Sequence, residues 1–183
     1  MSTFPFTAAG LDVGYGNVKL SVRAAGEADL RELTMPIGAV PLAQAPKKIT
    51  GGHDVRDGVI VSIDGQLWAA GMDPSHLQGF ARPTHENYPA TNEYKALMIG
   101  ALAKAGIKEV DMLYTGIPVG QYYGHNGVAL RTQISNTMTG KHWINPTTSI
   151  MVKATTVVPQ AAGAFMDILA RTPELRPAKG SPP

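Results

Sequence analysis

Apolar and polar residues alternate near the start of the chain, first over residues 10–13 and again over residues 18–22. A period of two is the pattern of a half-buried strand, so the two runs predict two strands joined by a short, glycine-containing turn. Asp12 and Lys19 hold polar positions in these runs. Both side chains are therefore expected on the face that points away from the core.

Similar patterns predict that the first half of the chain is mainly β-structure. Residues 30–37 can supply a third strand, which Pro36 ends or places at an edge, and the Asp-Gly pair at 64–65 predicts a type I′ hairpin turn. Residues 38–57 have little apolar periodicity and several Pro and Gly residues, which predicts an excursion from the sheet with little core. The other predicted strands are residues 59–63, 66–70, 110–115, 142–146, 149–153 and 155–158.

Helical periodicity replaces the alternation later in the chain. Thr91 or Asn92 can cap a helix whose apolar residues recur every three or four positions until Gly106 stops it. Further helices are predicted over residues 128–138 and 160–171, and the mixture of strands and helices predicts an α/β fold. The apolar helix positions are Tyr94, Leu97, Met98, Ala101, Leu102 and Ala105, then Val128, Leu130, Ile134 and Met138, then Ala164, Phe165, Ile168 and Leu169.

Composition narrows the class of protein. With 183 residues, 44% of them hydrophobic and 16% charged, the chain can bury a core in one domain or two small lobes. A net charge of +2, with no basic run longer than Lys47-Lys48, gives no reason to expect direct nucleic-acid binding. The lack of cysteine excludes disulfides and thiolate metal sites. No signal peptide or bilayer-spanning apolar run is recognisable, so we expect a soluble, cytoplasmic protein without a membrane partner.

The five histidines do not predict a metal site. None of them forms the HxxxH or HExxH spacing that places two imidazoles on one metal ion. They are therefore expected at the surface or at the edge of the core: His53, His76, His85, His125 and His142.

The turn between the first two strands carries candidate chemistry. Gly14 and Gly16 lack a Cβ and tolerate positive φ, so a ligand can approach the backbone closely. Backbone N–H groups in such a turn form a concave anion site, and the Lys19 ammonium adds positive charge for phosphate oxygens. Asp12 would repel phosphate unless a hydrated cation such as magnesium lies between them. An ordinary hairpin with a glycine turn fits the same spacing, which alone does not decide between the two.

The Walker A and Rossmann glycine motifs do not fit this turn. The pattern Asp-x-Gly-x-Gly-x-x-Lys between two strands instead resembles the first phosphate motif of the actin superfamily, especially its plasmid-segregation and archaeal actin-like ATPases. A Thr-Gly-Ile-Pro-Val turn at 115–119, preceded by a helix that opens at Tyr94, and a strand-to-helix junction at 157–164 add to the resemblance. In that family the residue at the Gln160 position is Gln or Glu and orients the water that attacks the γ-phosphate. An exposed glutamine at a helix start is the plain structural alternative.

The resemblance implies a fold and a ligand. The implied fold is α/β: a ribonuclease H-like N-terminal lobe of the actin type, with a mixed sheet, flanking helices and a smaller inserted subdomain at about 38–85. The domain would span residues 1–171, and a Pro-rich tail at 172–183 is expected to be disordered. The implied ligand is ATP with Mg²⁺; Asp12 would hold the metal through water and Gln160 would place the attacking water. The phosphates would be cradled by Gly14, Tyr15, Gly16, Asn17 and Lys19.

The resemblance also has gaps. Many relatives have Ser or Thr at the Tyr15 position, where the hydroxyl bonds the terminal phosphate. The second phosphate motif and the adenosine-contacting segment of a complete actin-like ATPase are not found, so we expect the N-terminal half of a filament-forming plasmid-segregation protein with little ATPase activity by itself. Its expected partners are further copies of the chain or a complementary C-terminal lobe, and a DNA-binding adaptor protein is a further candidate. A non-catalytic half-actin interaction module, or a fragment of another actin-superfamily phosphotransferase or chaperone, is the alternative.

Overall fold

The computed structural model describes residues 7–14, 16–80 and 87–160. Eleven β-strands and three α-helices lie within these ranges. The strands are β1 (Ala8–Val13), β2 (Asn17–Arg23), β3 (Arg31–Pro36), β4 (Gly38–Pro41), β5 (Val59–Ile63), β6 (Gln66–Met72), β7 (Glu109–Val110), β8 (Met112–Ile117), β9 (Gly140–Asn145), β10 (Thr148–Val152) and β11 (Thr155–Pro159). The helices are α1 (Asn92–Lys104), α2 (Val119–Tyr123) and α3 (Gly127–Met138), with short 3-10 helices at Leu42–Gln44, Pro74–His76 and Tyr88–Ala90.

The first sheet has five strands in the order β11-β8-β1-β2-β3. The predicted meander is confirmed, because β1, β2 and β3 pair antiparallel in sequence. On the other side of β1 the strands run parallel, β8 beside β1 and β11 beside β8. Leu11 and Val13 are buried while Asp12 and Lys19 are exposed, as the alternation predicts.

The second sheet has six strands in the order β4-β6-β5-β9-β10-β7. Its hairpin between β5 and β6 turns at Asp64 and Gly65, whose φ angles of 50° and 82° are those of the predicted type I′ turn. The link between β5 and β9 is the Ser62–Trp143 pair. The fold is therefore α/β with two mixed sheets and few helices, the class that the sequence predicts.

Helix α1 lies between the two sheets and contacts β1 and β2 of the first and five strands of the second. Thr91 caps it as predicted, since its side-chain oxygen accepts from the Tyr94 N–H, and Gly106 ends it with a φ of 70°. The buried face is wider than predicted, because Ala96, Ile99 and Gly100 are buried as well. Of the expected residues, Ala105 is only partly buried and the others are buried. A helix enclosed from two sides has no polar face, so periodicity underestimates its burial.

The prediction that residues 38–57 contribute little to the core is wrong for the first residues of this segment. Gly38–Pro41 forms β4 at the edge of the second sheet, with Ala39 buried in the main core. Ala45 is also buried, in a small cluster that includes Met72 and Leu77. A four-residue strand bounded by Gly and Pro is too short for its period to be recognised.

The predicted strand at 110–115 is two strands in different sheets. The chain changes sheet at Asp111, whose N–H bonds to the carbonyl of Thr7 and whose carboxylate accepts from the Thr7 N–H at 2.8 Å. Lys153 adds ion pairs to Asp111 at 2.7 Å and to Glu109 at 2.6 Å. These contacts tie the end of β7 to the start of β8, which continues to Ile117, past its predicted end.

The helical predictions have mixed outcomes. Helix α3 is confirmed and buries Ile134 and Met138, but Val128 is 70% exposed, so its predicted core position is wrong. The five residues of α2 were too few to give a helical period. Gln160 is helical, whereas the rest of the predicted helix at 160–171 lies outside the described residues, together with Ala164, Phe165, Ile168, Leu169, the tail at 172–183 and His85.

His142 corrects the expectation that the histidines lie at the surface or core edge, because it is buried at 5% exposure. Its Nε2 lies 2.8 Å from the carbonyl oxygen of Met138, to which it donates. Burial, aided by the positive charge of Lys95, lowers the pKa of His142 below 6.5. Among the described residues, no helix is long and apolar enough to cross a bilayer.

A Gly38→Ala substitution is expected to destabilise the chain. The added Cβ would lie 2.3 Å from the carbonyl oxygen of Met72 and 2.8 Å from a methyl of Leu77, so β4 would have to move. We expect a loss of about 1–3 kcal/mol in the free energy of unfolding, measured by urea denaturation. Gly10→Ala, on an exposed strand position with nothing within 4 Å, is the matched control. Equal stability of the two variants would contradict the tight packing of β4.

The buried His142 predicts a pH dependence of stability between pH 8 and pH 5. Since its pKa is lower in the folded than in the unfolded chain, the unfolded state binds more protons as the pH falls below 6.5. The free energy of unfolding should therefore drop over that range. Urea denaturation of the wild type and of His142→Gln, which keeps a donor for Met138, should show a smaller drop in the variant. The same slope in both proteins would count against the buried neutral histidine.

Candidate functional site

The hairpin of β1 and β2 presents two opposite charges side by side. Asp12 and Lys19 are direct partners in the antiparallel register, and both are exposed. The turn is closed by a hydrogen bond of 3.1 Å from the Gly14 N–H to the Asn17 carbonyl. Gly14 does not have a positive φ, so the tolerance for that conformation noted from the sequence is not used there. At Gly16 an added Cβ would meet nothing within 4 Å, which leaves this side of the turn open to a ligand.

Gln160 reaches this hairpin through the parallel strands. β11 pairs with β8 so that Val158 lies opposite Gly116, and Gln160 follows at the end of β11. Its side chain packs on Gly116, where an added Cβ would lie 2.9 Å from the Gln160 Cγ. From there its Nε2 donates to the carboxylate of Asp12, at 3.4 Å across 148 residues of sequence. The structure thus brings together two residues that the sequence assigned to one site.

Two buried tyrosines form the floor under Asp12. The Tyr94 hydroxyl is 2.9 Å from that of Thr115 on β8, and the Tyr88 ring packs edge-on against Tyr94 with centroids 5.4 Å apart. Burial raises the pKa of Tyr94 to about 12, with the negative charge of Asp12 acting in the same direction. Burial also raises the pKa of Tyr88. Both phenols are therefore neutral near pH 7, and the charged side chain that lines the cleft beside them is Asp12.

A cleft of about 260 Å³ opens beside these residues. That volume lies below the about 300–1,000 Å³ of pockets that enclose whole drug-sized ligands. The cleft is large enough for one end of a ligand and the water around that end. A second groove, of about 410 Å³, shares Asp12, Gly116 and Gln160 with the cleft and includes Lys19. The cleft is lined by Asp12, Gly14, Tyr94, Gly116, Gln121 and Gln160, among others.

Only some of the predicted site residues line the cleft or the groove. Asp12 and Gln160 line both the cleft and the groove, Gly14 lines the cleft and Lys19 the groove. Gly16 and Asn17 are exposed at the turn and line neither space, and Tyr15 lies outside the described residues. Two further residues of the cleft were not predicted as site residues: Tyr94, which was predicted only as a core position of a helix, and Gln121. A polar residue three positions after the Pro118 break was the available signal for Gln121.

The residues present fit a phosphate group with a hydrated divalent cation. An ammonium and a carboxylate line adjoining spaces together with the turn backbone at Gly14, and an amide borders both spaces. Among the described residues no cluster of three or more His, Asp or Glu could hold a metal directly. A single carboxylate with water and phosphate oxygens is the donor set that Mg²⁺ commonly takes.

Comparison with known proteins identifies the family to which this fold belongs. The family described as "Actin like proteins N terminal domain" matches residues 10–163. A comparison with curated proteins gives no match. Among solved structures, the archaeal actin homologue Ta0583 in complex with ADP has a TM-score of 0.60 at 19% identity, over 90% of this chain and 47% of that one.

Two filament structures have the same fold. A 15-stranded ParM filament from Clostridium botulinum has a TM-score of 0.61 at 17% identity, over 92% of this chain and 52% of its own. The filament structure of AlfA from B. subtilis plasmid pLS32 has a TM-score of 0.55 at 14% identity, over 87% of this chain and 58% of its own. The chain thus spans about half the length of these proteins, and at such identities they show the fold alone. With the family match over residues 10–163, the chain belongs to the actin-like proteins, whose N-terminal domain it contains.

Proposed function

We propose that this domain is the nucleotide-binding first lobe of an actin-like, filament-forming ATPase of the plasmid-segregation type. The observation that carries the proposal is the convergence of Asp12, Lys19 and Gln160 around one cleft and groove. These are the residue types that phosphoryl transfer requires: a holder for a hydrated cation, a positive charge for phosphate, and an amide for water. The solved relatives, one in complex with ADP and two in filaments, agree with it.

Each residue has a role that follows from its position. Lys19 binds phosphate oxygens from the open face of β2, and the turn at 14–17 binds them from the end of the hairpin through N–H groups other than that of Gly14, which bonds the Asn17 carbonyl. Asp12 accepts hydrogen bonds from water around a magnesium ion, which when bound offsets the charge of the phosphates. Because the Nε2 of Gln160 donates to Asp12, its Oε1 is the atom that would accept from the attacking water. An amide held in this way orients a water without removing its proton.

The remaining parts of the proposal concern what lies beyond this lobe. We propose that a second lobe supplies the adenosine contacts and a second phosphate motif, either in the same polypeptide or as a separate partner. Assembly would proceed through further copies, with a DNA-binding adaptor as another partner. The domain limits of 1–171, the smaller subdomain at 38–85 and the cytoplasmic location stay predictions.

The lobe by itself is expected to bind Mg-ATP weakly. The ligand would touch protein on one side only, so we predict a dissociation constant above roughly 100 μM, equivalent to less than about 6 kcal/mol. Titration calorimetry or NMR with millimolar nucleotide measures this dissociation constant. Lys19→Ala should weaken the binding of Mg-ATP further. Submicromolar affinity of the monomeric lobe would show that the site is placed wrongly. Binding that Lys19→Ala leaves unchanged would favour an interaction module without a phosphate site.

With a second lobe supplied, Gln160→Ala should lower ATP turnover by about 10- to 1000-fold and leave the affinity for ATP nearly unchanged. The amide acts on the water rather than on the ground-state phosphates, so its loss affects the rate and not the binding. Lys19→Ala should instead weaken the binding of ATP. Steady-state phosphate release and nucleotide titration separate the two effects. Equal turnover of wild type and Gln160→Ala would return Gln160 to an exposed residue at a helix start.

A further inference from the structure

The second sheet presents an apolar surface to solvent. Ser62 of β5 pairs with Leu67 of β6 on one side and with Trp143 of β9 on the other, so the three side chains lie in one row. In the neighbouring row, Lys141 of β9 pairs with Met151 of β10. The solvent side of a sheet is usually polar, yet four large apolar side chains on it are 38–44% exposed, and together with Lys141 we call them the outer face: Ile60, Leu67, Trp143 and Met151.

Part of this side of the sheet is covered by the chain itself. Ala69 lies two residues after Leu67 and pairs with Ile60, so it points to the same side. It is fully buried, in the small cluster that includes Met72 and Leu77. In the part of the chain that the structure describes, the outer face continues from this cluster without a cover. A contiguous apolar surface of this kind marks a contact with another molecule.

Lys141 gives the outer face its charge. Its ammonium lies 4.1 Å from the centre of the Trp143 ring, which is a cation–π contact. Among the residues that the structure describes, no carboxylate pairs with this ammonium. Charges across an interface are arranged to complement one another. The partner that fits the outer face therefore presents a carboxylate next to an apolar side chain.

The turn between β2 and β3 carries this combination. Residues 25–30 are all exposed. One acidic residue of the turn, Glu27, forms an ion pair with Arg31 at 3.3 Å, whereas the carboxylate of Asp29 has no partner among the described residues. Leu30, next to Asp29, is 49% exposed. The turn thus projects a free carboxylate and an apolar side chain, which complement the ammonium and the apolar residues of the outer face.

We propose that the outer face binds the turn at 25–30 of a second copy of this chain, with Asp29 of one copy on Lys141 of the other and Leu30 against Trp143. This inference rests on the self-assembly part of the proposed function, for which it names the contact surfaces. The two surfaces belong to different sheets and differ from each other, so the contact is head-to-tail and leaves one surface of each kind free at the ends. Contacts of this type build filaments when they do not close into a ring.

A contact of this size is weak. A turn of six residues covers far less than the about 800 Å² per partner of a standard interface. We therefore expect a dissociation constant above roughly 100 μM between two lobes. The lobe is monomeric when dilute and associates at high concentration, where each added copy meets the next through the same pair of surfaces.

Trp143 itself reports on the contact. The chain has two tryptophans, of which Trp68 is buried and Trp143 is exposed, so acrylamide quenches the fluorescence of Trp143 preferentially. Between about 10 μM and about 2 mM chain, which brackets the expected affinity, the mean mass in sedimentation equilibrium should rise and the quenching should fall. Val128→Ser, which removes a 70% exposed apolar residue of α3 outside both surfaces, is the matched control and should change neither.

Charge reversal tests the pairing. Asp29→Lys and Lys141→Glu should each weaken self-association about tenfold, because each places like charges opposite one another. A mixture of the two variants should associate as strongly as the wild type, since the unchanged turn of one variant then meets the unchanged outer face of the other. Both positions are exposed, and circular dichroism checks the fold of each variant. If Lys141→Glu does not fold, Leu30→Ser in the turn replaces it and should also weaken the association.

The remaining outcomes separate this inference from nucleotide binding. Association that Asp29→Lys leaves unchanged would mean that the turn is not the partner of the outer face, and the inference is then wrong. A monomeric mass with constant Trp143 quenching up to about 2 mM also overturns it and assigns the outer face to a different protein. Both results leave the nucleotide site intact if Mg-ATP binding still depends on Lys19. Mutual rescue of the variants in a chain that does not bind Mg-ATP would support this inference and contradict the proposed nucleotide site.

Discussion

The parallel pairing of β8 with β1 is the constraint on which the site depends. β1 is antiparallel to β2 on one side and parallel to β8 on the other, so the direction of the sheet changes at this strand. The ends of β1, β8 and β11 consequently meet at one edge, and in open α/β sheets ligands bind at the carboxyl ends of strands where the order changes. Asp12, Gly116 and Gln160 lie at these three ends.

The packing of α1 against the first sheet stabilises this edge. Because α1 is enclosed between two sheets, it can carry only a few polar groups, and each of these needs a partner. Tyr94 has one in Thr115, which fixes the end of β8 against the first turn of the helix. The hydrophobic core and the polar cleft thus share a boundary of two neutral tyrosines, Tyr88 and Tyr94, directly behind Asp12.

The charges of the site remain in contact with solvent. Asp12, Lys19 and Gln160 are all exposed, so their interactions in the free lobe are weak and screened. The chemistry proposed here needs them to be covered, because electrostatic interactions strengthen when water is excluded. The second lobe proposed above would provide that cover.

The sequence by itself determined the local features. Alternation defined the hairpin and put Asp12 and Lys19 on its exposed face, Asp64-Gly65 defined the type I′ turn, and Thr91 and Gly106 set the limits of α1. Each of these depends on neighbours within a few residues, which a sequence pattern records directly.

Only the tertiary structure decided the rest. It divided the predicted strand at 110–115 between two sheets at Asp111, and it placed Gly38–Pro41 at the edge of the second sheet. It also buried His142. It also brought the buried amide of Gln121 to the wall of the cleft. These outcomes depend on which distant strands pair and on what encloses a helix from its second side, and the period of a short segment carries no information about either.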